Sequence, residues 1–99
     1  MEIRLKQKIL GIERHDEYEP THRTGYLKGT SYAGVVQTLG FMPNVEDDVD
    51  KVKYSWLFKV DGKVAAIWDY KGSASMGHWS VYDPHHVLGA LFSEEKLHG

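Results

Sequence analysis

The stretch Lys51-Val52-Lys53-Tyr54-Ser55-Trp56-Leu57-Phe58-Lys59-Val60-Asp61-Gly62-Lys63-Val64-Ala65-Ala66-Ile67-Trp68-Asp69-Tyr70 decides the fold. Two apolar-rich runs flank Asp61-Gly62, the dipeptide that most favours a two-residue type I′ turn because both central residues need positive φ. A hairpin with its tip there sets a register. Val60 falls opposite Lys63, Phe58 opposite Ala65, Trp56 opposite Ile67 and Tyr54 opposite Asp69, all on one face because side chains alternate along a strand. The other face carries Leu57, Val64, Ala66, Trp68 and Tyr70 among Lys53, Ser55 and Lys59. Apolar residues on both faces predict that the chain's own helices cover one side, while the other meets a partner subunit, a ligand or another macromolecule.

Upstream, Thr30 or Ser31 can cap a helix whose apolar positions Tyr32, Val35, Val36 and Leu39 follow the i, i+3, i+4, i+7 spacing, with Gly40 to end it. Downstream, Lys71-Gly72-Ser73-Ala74-Ser75 reads as a flexible connection. His78 to Tyr82 then alternates as a third strand. Asp83-Pro84 combines an N-cap residue with proline at the first helical position, and Val87, Leu88, Leu91 and Phe92 form the apolar stripe of a second helix. Glu2 to Glu13 reads as a further strand. Residues 14–29 read as a long loop with a short extended piece at Tyr26-Leu27, and residues 43–50 as a loop carrying Glu46, Asp47, Asp48 and Asp50. The expectation is a single α+β domain over residues 1–99: a three- to four-stranded antiparallel sheet, a meander around the Asp61-Gly62 hairpin, packed on one face by two short helices.

Composition narrows the function. A formal net charge of −2 gives no general attraction to nucleic acid or anionic membrane, so direct nucleic-acid binding is disfavoured. The absence of cysteine removes disulfides, thiolate nucleophiles and cysteine zinc sites, and suits a reducing cytoplasm. No apolar run approaches the ~20 residues of a membrane span, and Met1-Glu2-Ile3-Arg4 does not begin a signal peptide, so a cytoplasmic protein is expected. Homo-oligomerisation would help so short a chain bury its second apolar face.

Two groups of residues could bind a ligand. Gly29-Thr30-Ser31 at a helix start offers N–H groups, hydroxyls and the positive end of the helix dipole, with Arg23 and Lys28 just upstream; caps alone explain the same residues. Trp68, Tyr70, Trp79 and Tyr82 supply flat surfaces on neighbouring strands, with Lys71 and His78 close in sequence, as proteins commonly hold a base and its phosphate; sheet core or a dimer contact explains the aromatics more simply, and Tyr26 in the extended piece upstream joins the candidates. Arg23, Tyr26, Lys28, Thr30, Ser31, Trp68, Tyr70, Lys71 and His78 are therefore the candidate ligand-binding residues. His15, His22, His85 and His86 show no His-Glu-x-x-His spacing, and no serine lies in a Gly-x-Ser-x-Gly elbow, so no metal, cofactor or catalytic group is expected. The acidic run could instead mimic nucleic-acid phosphates, or be a solvated loop.

The segments Gly29-Thr30-Ser31-Tyr32-Ala33-Gly34, Leu39-Gly40-Phe41, Trp56 to Lys71 and His78-Trp79-Ser80-Val81 together resemble a group of small bacteriophage proteins of unknown activity. The likeness spans about Tyr26 to Leu91 and is most specific in the tryptophan-led strand, the Asp-Gly turn and the following strand. It departs at Tyr82-Asp83-Pro84, where that group tends to have glycines. The resemblance implies a phage or prophage origin and supplies no catalytic residues. Small phage proteins of this kind are often antagonists of host defence. Two forms suit this chain: sequestering a nucleotide-derived immune signal, a cyclic nucleotide or ADP-ribose derivative, as an oligomer; or inhibiting a host defence protein such as a CRISPR effector by covering its working surface. A small hydrolase using His78 or His85 is the third alternative.

Overall fold

The computed structural model describes residues 11–17, 21–46 and 50–99. The strand expected from Glu2 is seen there only as β1, Ile12–Arg14, and the acidic positions Asp47 and Asp48 lie outside the described residues. Five further strands follow: β2 Gly25–Leu27, β3 Ser55–Val60, β4 Lys63–Trp68, β5 Trp79–Tyr82 and β6 Leu97–His98. Among the described residues one α-helix, α1, spans Tyr32–Leu39. The strands form a single antiparallel sheet in the order β1-β3-β4-β5-β2-β6, wider than the three to four strands expected from the sequence.

The hairpin has the register that its turn dictates, with Phe58 opposite Ala65 and Trp56 opposite Ile67. Asp61 and Gly62 take φ of 51° and 85°, the positive values a type I′ turn needs. Asp61 also fastens the tip to the neighbouring strand: its Oδ1 accepts the Gly11 N–H at 3.0 Å, and its own N–H donates to the Gly11 carbonyl. Where the β1–β3 ladder ends, Asn44 extends it. Its Oδ1 accepts the Leu57 N–H, while its Nδ2 donates to the carbonyls of Leu57 and His15 and to Asp16 Oδ1. That bond from Asn44, ahead of the attraction of Arg14, holds the Asp16 carboxyl below its ordinary pKa.

Helix α1 begins and ends as its sequence dictates. Ser31 Oγ accepts the Gly34 N–H, and Gly40 closes the last turn with φ 89° while its N–H donates to the Val36 carbonyl. Val35 and Leu39 face the sheet and join Trp56, Phe58, Ile67, Trp79 and Val81 in one core. The two core tryptophans stand edge to face with centroids 5.4 Å apart, and each finds a carbonyl: Trp56 Nε1 donates to Phe41 and Trp79 Nε1 to Thr30.

Two expectations are corrected. The second helix does not form. Asp83 does cap, since its carboxylate oxygens accept the N–H groups of Val87 and Leu88, but His86 takes φ 57°, which an α-helix cannot contain. The chain continues in a 3₁₀ turn at Leu88–Ala90, which still buries Leu88 and Phe92 in the core. The connection after β4 is built rather than flexible: it forms a 3₁₀ turn at Ser73–Met76 between two left-handed glycines, Gly72 and Gly77, and Ser73 Oγ accepts the Tyr70 N–H and donates to the His78 carbonyl.

Candidate ligand site

Cross-strand pairing places one continuous row on the face of the sheet opposite the core. Ser55 is opposite Trp68, Trp68 opposite Ser80, Ser80 opposite Tyr26 and Tyr26 opposite His98, which crosses β3, β4, β5, β2 and β6. Directly opposed residues share a face, so Trp68 and Tyr26 stand on the same surface two strand spacings, or roughly 10 Å, apart. Ser80 between them is short and buried.

Tyr26 is 38% exposed and carries two cations. The Arg23 guanidinium lies 4.9 Å from its ring centroid and the Lys28 ammonium 5.9 Å. The strand explains the grouping: Tyr26 and Lys28 are two apart and lean the same way, and Arg23 enters from just before β2. Among the described residues neither cation has a carboxylate partner. Two unneutralised cations flanking one aromatic ring can receive an anion while the ring stacks on a flat group.

Tyr26 also borders a cleft of about 500 Å³ that includes His86, His98 and Glu94, between β2, β6 and the segment after Asp83. His98 carries no sequence signal, because a two-residue strand has no readable periodicity. Gly25 lets β6 come this close, since a Cβ there would sit 2.4 Å from the His98 carbonyl oxygen.

The other candidates fall elsewhere. Thr30 is buried, its N–H donating to the Gly77 carbonyl and its hydroxyl to the Lys28 carbonyl, and the Ser31 hydroxyl serves as the helix cap. These groups are therefore engaged in the fold. Tyr70, Lys71 and His78 gather at the β4–β5 connection, where the Lys71 ammonium lies 5.4 Å from the Tyr70 ring and Ser73 ties Tyr70 to His78. Trp68 alone of the β4–β5 candidates shares the row with Tyr26. On the same surface Leu57 and Ala66 are already buried within one chain, which shrinks the apolar excess behind the expected oligomer.

No group of three or more metal-ligating side chains gathers among the described residues, and no helix there is long and apolar enough to cross a membrane. Comparison of the chain with protein-family models, curated proteins and solved structures gives no match in any of the three.

Proposed function

We propose that this protein binds and sequesters a nucleotide-derived small molecule without altering it. The observation that carries the reading is the Arg23–Tyr26–Lys28 group, two cations on an exposed ring that have no carboxylate partner among the described residues. In this reading the base stacks on Tyr26, with Trp68 bounding the same surface across the short Ser80, and the phosphates meet Arg23 and Lys28. Lys71, Tyr70 and His78 form a second, smaller aromatic–cationic group at the β4–β5 connection. Taken with the resemblance to small phage proteins, the ligand class is a cyclic nucleotide or ADP-ribose derivative used as a host immune signal, held by an oligomer in the host cytoplasm.

Calorimetric titration with cyclic dinucleotides and ADP-ribose derivatives, followed by recovery of the ligand, tests this. Binding tighter than about 100 µM, roughly −5.5 kcal/mol, with ligand recovered intact supports sequestration. Recovery of cleaved ligand, with cleavage stopped by His78→Ala or His85→Ala, establishes the hydrolase reading instead. No nucleotide binding, together with capture of a host defence protein that Trp68→Ala abolishes, establishes the inhibitor reading. Sedimentation at micromolar concentration decides the oligomer, which fails if the mass is that of one chain.

A further inference from the structure

The last strand, β6, adds basic groups to the face that carries Tyr26. Leu27 is opposite Leu97, Leu27 fully buried in the core and Leu97 packed against it. Side chains alternate along a strand, so the residues on either side of that pair belong to the other face, the one of Tyr26. There His98 is directly opposite Tyr26. Two residues back along β6 the same register sets Lys96 opposite Lys28, and the Lys28 N–H donates to the Lys96 carbonyl at 2.8 Å. Gly25 permits the approach, because a side chain there would collide with the His98 carbonyl oxygen. Four basic residues are thereby gathered about one exposed ring: Arg23 and Lys28 at 4.9 and 5.9 Å from its centroid, His98 across the ladder and Lys96 beside Lys28. Like charges directly opposite on one face repel, and an anion held among them removes that repulsion.

We propose that Lys96 and His98 complete the Arg23–Tyr26–Lys28 site, and that the five residues together select a diphosphate bridge, the linkage of an ADP-ribose derivative, over a cyclic dinucleotide. This inference rests on the reading of the Tyr26 group as a nucleotide site. In a diphosphate the two charged groups share one bridging oxygen, so donors that converge on a single ring can meet both. In a cyclic dinucleotide a ribose stands between the phosphates and carries the second one away from the first. The Arg23 guanidinium offers a planar fork to two phosphate oxygens, the lysines act as point charges, and the His98 ring donates an N–H from the neighbouring strand. Glu94, in the cleft that Tyr26 and His98 border, opposes an anion and sets a limit on its affinity.

Calorimetric titration of the intact protein with ADP-ribose and, separately, with cyclic di-AMP, which offers the same base, tests the selection. ADP-ribose should bind about tenfold more tightly or better. Lys96→Ala and His98→Ala should each weaken ADP-ribose binding about three- to tenfold and change cyclic di-AMP binding little. Lys59→Ala, on the same face but in β3, opposite Val64 and Glu13, should change neither. Glu94→Gln should strengthen ADP-ribose binding about twofold. Equal affinities, a preference for cyclic di-AMP, or losses at Lys96 and His98 no larger than that at Lys59 would overturn the selection and leave the Tyr26 group a nucleotide site. Failure of both nucleotides to bind would overturn that reading and the selection with it. If His98→Ala disturbs β6, seen as faster amide exchange at Lys28, the comparison of the two nucleotides on the unaltered protein still decides.

Discussion

Two arginines on this small sheet make the same local contact and meet different fates. Arg14 in β1 lies 5.9 Å from the Phe41 ring, and Arg23 before β2 lies 4.9 Å from the Tyr26 ring. Arg14 is neutralised within its own strand end, since its guanidinium donates to Asp16 Oδ1 at 3.2 Å and Asn44 binds the same oxygen. Arg23 has Lys28 for a neighbour instead, so charge accumulates there. Stacking a cation on an aromatic ring therefore does not by itself mark a binding site; whether the fold also supplies the counter-charge does. The β1 flank is closed chemistry, and the β2 flank is open.

The sharpest way to break this contrast is to remove the residue that closes the β1 flank. Asn44→Ala deletes four hydrogen bonds, two of them to the backbone of Leu57, and leaves that buried residue's N–H unmatched. Stability should fall by roughly 2–3 kcal/mol in urea unfolding. A change below ~0.5 kcal/mol would mean that the flank is not held by Asn44 and that the asymmetry lies elsewhere.

On the open flank the corresponding keystone is a missing side chain. Gly25→Ala puts a Cβ at 2.4 Å from the His98 carbonyl, which must move. The cost should be roughly 1–2 kcal/mol. Its local sign is faster amide exchange at Lys28, whose N–H donates to the Lys96 carbonyl at 2.8 Å. Unchanged exchange there would show that β6 adapts without leaving.

These flanks differ also in how much of them the sequence reveals. The hairpin and α1 are legible because their signals are local: Asp61-Gly62 sets the turn, alternation sets the faces, and Ser31 and Gly40 mark the helix ends. The second helix is misread because Asp83-Pro84 and the Val87, Leu88, Leu91, Phe92 spacing are genuine cap and core signals, yet His86 adopts a left-handed φ that no pattern announces. Asn44 and β6 are silent for another reason. Asn44 joins partners 13 to 29 residues away, and β6 is two residues long. Arg23 and Lys28 read from the sequence as neighbours of the Gly29-Thr30-Ser31 helix start; that they flank the Tyr26 ring instead, and that Thr30 and Ser31 are engaged in ordinary capping and loop bonds, follows only from the ring contacts and hydrogen bonds of the folded chain.

Replacing each arginine in turn separates the two flanks by their effect on binding. Arg23→Ala should weaken binding of an ADP-ribose derivative about tenfold, or 1.4 kcal/mol, with stability changed by less than ~0.5 kcal/mol. Arg14→Ala should leave that affinity unchanged. Equal losses from both, measured by calorimetry, would mean that net positive charge rather than the Tyr26 group attracts the ligand.

The smallest effect expected concerns Asp16, the counter-charge that sets Arg14 apart from Arg23. The Asn44 bond first, then the charge and hydrogen bond of Arg14, lower its pKa in the folded state. A group whose folded pKa is depressed contributes stability above its unfolded pKa, about 3.9 for aspartate, and loses it as pH falls through the folded value. Asp16→Asn should therefore unfold at a urea midpoint slightly below that of the unaltered chain near neutral pH, and the two should converge only below about pH 4. Because Asp16 and Arg14 are both well exposed, 60% and 56%, added salt should shrink the neutral-pH gap further. Midpoints that run parallel from pH 7 to pH 3 would show that Asp16 acts through its hydrogen bond from Asn44 alone, which an asparagine carbonyl can replace, and that charge closure is not what distinguishes the two flanks.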